Sequence, residues 1–273
     1  AALQAAVEGM DLLVAGGEDT SALVGPQAEP NASRWHHHAF DPHEIIKLEN
    51  PQWASRGIRA LLAEHGGALG ALAARLTGAN WVQIWHVQLL GKPDAADEGE
   101  GSLVGWHQDR HYHQGDWEDP SEIFTAWIAL SDVTEESGPV RFVDGSHAWG
   151  LLHSPDGNNF FGQGLDEQRA ALERAAPDGS TWRETPATMP LGGCSIHDDF
   201  TIHGSGPNRS GKLRRSLACH MRSDRSMRRG GRQLPALDEL DTGGVEVCPV
   251  IHGREAYEAQ RLREQRQLDA ARL

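Results

Sequence analysis

Apolar positions recur at helical spacing in two early stretches, residues 2–14 and 51–77; in the second, Ile58, Leu61 and Leu62, then Leu69, Leu72 and Leu76, share a face. Pro51 stands where a first helical turn tolerates it, because the N–H it lacks would have no partner there. These segments predict a helical N-terminal third. From Asn80 the pattern shortens to an alternation rich in Trp, Val and Ile over 81–90, and similar runs follow at 123–130, 140–143, 194–197 and 213–221. They predict strands. Gly, Pro and Asp turns separate them and no helix stands between each pair, so the expected architecture is an antiparallel sandwich of jelly-roll type, not a parallel βαβ sheet. A helix is expected within it at 165–176 and a polar helix at 254–273. The fold class is thus mainly β with flanking helices. One domain is expected over 1–273, with a helical part at 1–78, a core at about 80–222 and a C-terminal segment at 223–273.

Composition narrows the partners. With 273 residues, 38% of them hydrophobic, and nine tryptophans, the chain is long enough to bury a sizeable core. Lys and Arg number 25 against 39 Asp and Glu, a formal charge of −14, which repels phosphate backbones and anionic lipid. Neither nucleic acid nor membrane is an expected partner. Acidic residues at 94–100 and 116–122 read as solvated loop faces, and Arg222, Arg225, Arg228, Arg229 and Arg232, interleaved with Ser and Gly, as a mobile surface segment. Cys194, Cys219 and Cys248 are odd in number and widely spaced, which implies neither a disulfide framework nor a zinc site and fits a cytoplasmic setting. No apolar run approaches the roughly 20 residues needed to cross a bilayer. The chain opens Ala1-Ala2-Leu3 inside a helical pattern with no initiating Met, so a preceding natural segment is expected.

Candidate chemistry begins at Trp106-His107-Gln108-Asp109. In an extended segment residues i and i+2 share a face, so one imidazole and one carboxylate can meet a single metal ion. A two-His, one-carboxylate set needs a further histidine and leaves the opposite coordination positions open. His203, in His203-Gly204-Ser205-Gly206-Pro207-Asn208, is the candidate. Eleven residues on, Arg214 opens a predicted strand and offers a planar fork for a carboxylate.

These residues, with Gly91-Lys92-Pro93, His107 to Tyr112, Trp127 to Leu130, Ser137-Gly138-Pro139 and Gly145-Ser146-His147, resemble the phytanoyl-CoA dioxygenase family over about residues 47–221. The resemblance implies a double-stranded β-helix (cupin-like jelly roll) and an Fe(II)- and 2-oxoglutarate-dependent dioxygenase. Such an enzyme uses O2 to hydroxylate a small molecule, a metabolite or natural-product intermediate, releasing succinate and CO2. It implies His107, Asp109 and His203 as iron ligands, Arg214 as the partner of the cosubstrate's distal carboxylate, and Ser205, Trp127, Gln88 and Lys47 as residues flanking that cosubstrate. Related halogenases replace the carboxylate ligand with a small residue, so Asp109 favours hydroxylation. Where the family often has Pro before Gly-Ser-His, this chain has Asp144, a change in a turn.

Other readings stay open. Zn(II) accepts the same three ligands, as in a zinc hydrolase, and a non-catalytic binding or regulatory protein could keep the fold. His111 and His113 are candidate substrate contacts. His197, Asp198 and Asp199 compete as ligands, and His86 is a candidate support behind the site. His36, His37 and His38 read as a loop, and Trp35, Trp53, Trp81 and Trp85 as core.

Overall fold

The computed structural model describes residues 1–14, 45–95, 103–152, 164–229 and 248–271. Two helices cover one face of a large sheet. In α1 (Ala2–Val14) the buried residues Ala2, Ala6, Met10 and Leu13 form a single stripe. Pro51–Trp53 is a separate 3-10 turn, so the helix expected from residue 51 is α2 (Arg56–Thr77), capped by the Ser55 hydroxyl, which accepts from Ile58 N at 3.3 Å. The two helices pack closely at Gly57, where a Cβ would lie 2.0 Å from the Ala5 carbonyl oxygen.

Strands β1 (Ile46–Glu49), β2 (Val82–Lys92), β9 (Arg214–Ser223), β4 (Ile123–Ala129) and β7 (Cys194–Asp198) lie in that order, all antiparallel, with β10 (Val250–His252) also on β2. Alternation sorts their side chains. Ile84, Val87, Leu89, Phe124, Ala126, Leu217, Cys219 and Met221 join α1 and α2 in the main core. Full burial of each large apolar side chain here contributes roughly 1.5–3 kcal/mol. The alternate residues of β9 and β4 include Arg214, Ser216, His220, Thr125 and Trp127, and face the other way.

A smaller antiparallel sheet holds β3 (Val104–His107), β8 (His203–Ser205), β5 (Arg141–Val143) and β6 (Glu184–Pro186) in that order. Trp127 and Ala218 of the large sheet share a cluster with Val140 and Phe142 from beside and within β5, which closes the two sheets on each other as a jelly roll. Two more helices border the small sheet, the single turn α3 (Arg110–His113) after β3 and α4 (Leu165–Ala175), whose Leu172 packs with Trp106, Val143 and Ile202. Past β10, α5 (Arg254–Ala271) docks through Tyr257, edge-on to Trp81 at 5.1 Å.

The arginine run departs from its expected role. Arg222 belongs to β9, and its guanidinium lies over the rings of Trp81 and Trp117 at 5.2 and 5.5 Å, because the strand continues past residue 221 and presents that side chain to an aromatic wall. Arg225 and Arg229 pair with Glu122 and Glu118; Arg232, Trp35 and His36 to His38 lie outside the described residues. Trp53, Trp81 and Trp85 are buried as expected. Among the described residues no helix is long and apolar enough to cross a membrane.

Candidate metal and carboxylate site

His107 ends β3 opposite His203 on β8, so sheet pairing alone brings the two imidazoles together, with ring centres 4.1 Å apart. Asp109 arrives differently from the expectation of one extended segment. Its backbone is helical (φ −57°, ψ −27°), and its carbonyl accepts from Tyr112 N and His113 N, so the chain has already turned into α3. Gln108 makes the turn rigid: its amide donates to Gly150 O and Phe200 O at 2.8 and 2.6 Å and accepts from Leu152 N at 2.8 Å. The Gly-Ser-His motif acts on the opposite ligand strand, where the Ser146 hydroxyl accepts from Ile202 N and donates to Val143 O, both at 2.8 Å.

Asp109 Oδ1 lies 3.6 Å from His107 Nε2 and 3.7 Å from His203 Nε2, and ligand atoms of the three residues all fall within 4.8 Å of one another. The second ring nitrogens fix the tautomers. His107 Nδ1 is 2.8 Å from Gly105 O and His203 Nδ1 2.9 Å from Thr201 O; a carbonyl only accepts, so each Nδ1 carries a proton and, in the neutral ring, Nε2 is the nitrogen with the lone pair. Burial alone would raise the Asp109 carboxyl, but the surrounding imidazoles, His203 first, outweigh it and hold the group well below the usual carboxylate range. Burial pushes His203 well below the ordinary imidazole value, the neutral form a ligand needs.

A cationic end lies along β2 and β9. Lys92 and Arg214 are register partners, and both side chains are buried. Lys92 Nζ donates to Ser205 Oγ, Gly206 O and Ser205 O at 2.5, 2.6 and 3.2 Å. Arg214 Nη1 donates to Gly138 O, and its guanidinium lies 5.2 Å from the centre of the Trp127 ring. Among the described residues no carboxylate comes within 4.0 Å of either cation. Burial, and then Arg214, push Lys92 well below the usual lysine range, and burial lowers Arg214 to about 10. Three buried polar atoms near this end, Arg214 Nε, Trp127 Nε1 and Ser195 Oγ, have no hydrogen-bond partner among the described residues; Trp127 is opposite Ser195 on β7. Buried polar groups are rarely left unsatisfied, so the site has the donor set for an absent carboxylate.

The remaining sequence candidates scatter. Ser205 is at the cationic end. Gln88 is on β2 between Glu49 and Ala218, and half-exposed Lys47 on edge strand β1 pairs with Glu49 at 3.3 Å. His111 Nε2 donates to Leu152 O at 2.8 Å; His113 is buried against Trp85 and His220, and burial holds it at about 4. Of the competing ligands, His197 Nε2 is 3.5 Å from Asp109 Oδ2, while Asp199 is buried beside Arg110, 3.5 Å away. His86 is bonded to Glu49 at 2.5 Å. Sequence reading gave Lys92 no role, although it stands in the Gly-Lys-Pro motif; the signal that singles it out is its register with Arg214.

Facing antiparallel sheets with a His-x-Asp turn and a distant histidine between them define a double-stranded β-helix protein with a candidate facial metal site. The sequence profile of the phytanoyl-CoA dioxygenase family matches residues 2–216, and the chain belongs to that family. Similar curated proteins include dioxygenase aneA of Aspergillus aculeatus, 30% identical over 36% of this chain and 26% of that protein. The peroxisomal phytanoyl-CoA dioxygenase of Rattus norvegicus is 28% identical over 53% of this chain and 40% of its own length. The chain thus spans well under half of these two relatives. Among solved structures, the non-heme α-ketoglutarate-dependent carbocyclase SnoK from nogalamycin biosynthesis aligns with a TM-score of 0.56 at 18% identity, over 87% of this chain and 81% of that one. EctD from S. alaskensis, solved with 2-oxoglutarate and 5-hydroxyectoine, aligns at 0.54 and 16%, over 81% and 68%. At these identities the likeness concerns the fold.

Proposed function

We propose that the chain is an Fe(II)- and 2-oxoglutarate-dependent dioxygenase that hydroxylates a small-molecule metabolite or natural-product intermediate. The observation that carries this reading is the pairing, within one jelly-roll interior, of a two-nitrogen, one-oxygen donor set with a buried pair of cations that have no carboxylate within 4.0 Å among the described residues. The donor set suits a divalent first-row ion held by His107, Asp109 and His203, and the cationic end suits a dicarboxylate cosubstrate anchored by Arg214 with Lys92, Ser205 and Trp127. Iron with 2-oxoglutarate and O2 would supply the oxidising power, with release of succinate and CO2.

The residues supply geometry. His107 and His203 offer lone pairs from fixed rings, Gln108 holds the Asp109 turn, and the cation pair sets where the far end of the cosubstrate lies. Family membership and the jelly-roll neighbours support the class, and the small molecule named with one of them, 5-hydroxyectoine with EctD, supports the substrate scale. A zinc hydrolase would leave the buried cation pair without a task. The reading takes 1–273 as one oxygenase domain in the cytoplasm, consistent with three free thiols.

The test is anaerobic titration of the metal-free protein with Fe(II) and then 2-oxoglutarate, following the weak visible charge-transfer band of a chelated 2-oxo acid. The band is expected with the native chain and lost in Arg214→Ala. Its absence in native protein that binds Fe(II) would overturn the cosubstrate assignment.

A further inference from the structure

The two oxygens of Asp109 have different surroundings. Oδ1 faces the His107 and His203 Nε2 atoms. Oδ2 turns to the large sheet, where the Thr125 hydroxyl donates to it at 3.1 Å. A carboxylate only accepts, so the single hydroxyl proton of Thr125 is committed to Asp109. His220 Nδ1 is 2.9 Å from the same hydroxyl oxygen and must therefore carry its own proton and donate. The series His220 → Thr125 → Asp109 has one direction, fixed by the acceptor at its end.

The sheet sets this line up. Thr125 is opposite His220 on β9 and His197 on β7, so three side chains on adjacent strands converge on one oxygen. His197 Nε2 stands 3.5 Å from Oδ2 and His220 Nδ1 4.0 Å. His220 is held from behind: its ring is stacked on His86 at 5.1 Å and 13°, and His86 is bonded to Glu49 at 2.5 Å.

We infer that Thr125, oriented by His220, is a positioning residue that holds Asp109 to one ligating oxygen and so keeps the rest of the metal's coordination sphere open. This rests on the metal reading above. Cosubstrate and O2 would need the positions that one atom from each of His107, Asp109 and His203 would leave open, so a second Asp109 oxygen on the metal would take one of them. A hydroxyl bonded to Oδ2 opposes the rotation that would bring that oxygen to the metal. Partners of this kind typically change metal affinity about 10–100-fold.

The experiment uses the full chain, metal-free, titrated with Co(II) and followed by calorimetry and the visible Co(II) spectrum. Thr125→Val, which keeps the shape and removes the donor, is expected to weaken Co(II) binding about 10–100-fold and alter the spectrum. Thr125→Ser should bind within about threefold of native, and His220→Phe about three- to tenfold more weakly. Thr125→Val leaves Asp109 Oδ2 and His220 Nδ1 without that partner, at about 1–3 kcal/mol for each group left buried, so the metal-free variant should melt below native, and the Co(II) spectrum, read well below its melting temperature, separates positioning from folding. If Thr125→Val does not fold, Thr125→Ser and His220→Phe carry the test. Native affinity and spectrum in Thr125→Val, or in His220→Phe when only that variant folds, would overturn the positioning role. Failure of the native chain to bind Co(II), or undiminished binding in His107→Ala, would instead overturn the metal site itself.

Discussion

Lys92 and Arg214 sit directly across from each other on β2 and β9, both buried, and neither has a carboxylate within 4.0 Å among the described residues. Burying even one unpaired charge costs several kcal/mol, so two together mark a place that an anion completes. Replacing Lys92 with Met is expected to weaken 2-oxoglutarate binding about tenfold, equivalent to about 1.4 kcal/mol, and Arg214→Ala more, while Co(II) affinity stays native. Anaerobic calorimetry with each ligand checks this. An unchanged 2-oxoglutarate affinity in Lys92→Met would remove that residue from the anchor.

The same pair gives a pH signature. Lys92 is held well below the usual lysine range by burial and by Arg214. The unfolded chain therefore binds a proton that the folded, ligand-free chain releases, and stability rises with pH from the depressed folded value up to about 10.4. The melting temperature of ligand-free native protein should gain on that of Lys92→Met as pH rises through this window. Binding a carboxylate restores the charge and takes up a proton, so 2-oxoglutarate affinity should fall over the same range. A difference in melting temperature that does not vary with pH would contradict the assignment.

Much of this was legible in sequence, for identifiable reasons. The strand Arg214–Ser223 carries one apolar and one polar face, and that asymmetry imprints a period of two, whereas Ile123–Ala129 is apolar on both faces apart from Thr125 and shows as a short run of strand-forming residues. His203 was less readable: it lies among Gly204, Gly206 and Pro207, which suggest a turn, and becomes β8 only because β3 and β5 pair with it on both sides. Strands of three or four residues such as Glu184–Pro186 and Val250–His252 are too short to show a period. The His-x-Asp pair is legible, but its geometry is not, because the bonds that hold Gln108 beside the turn come from Gly150, Leu152 and Phe200, more than 40 residues away. Lys92 and Thr125 acquire meaning only from strand register, which local pattern does not encode.

That turn makes Gln108 a target without its being a ligand. Gln108→Leu removes three hydrogen bonds and leaves the Gly150 and Phe200 carbonyls and the Leu152 amide without their partner, at about 1–3 kcal/mol for each group left buried. The variant is expected to bind Co(II) at least tenfold more weakly and to melt below native, with 2-oxoglutarate unable to restore the difference. Native Co(II) affinity in a variant that melts early would show that the turn supports the fold alone.

Gly138 joins the backbone to the anchor. Its φ of +63° is in the left-handed region, and a Cβ there would lie 2.5 Å from Gly206 O and 2.8 Å from Pro207 O. Its carbonyl accepts from Arg214, and Gly206 O accepts from Lys92. Gly138→Ala must therefore shift the 206–207 backbone, and with it the acceptors that hold both cations. Left-handed backbone costs an alanine about 1–2 kcal/mol before any clash, and at roughly 2–4 °C per kcal/mol the melting temperature should fall by several degrees. The 2-oxoglutarate affinity should drop about tenfold while Co(II) affinity is preserved, since no ligand-bearing turn is touched. Destabilisation with native 2-oxoglutarate affinity would mean that the cation pair keeps its geometry independently of this loop.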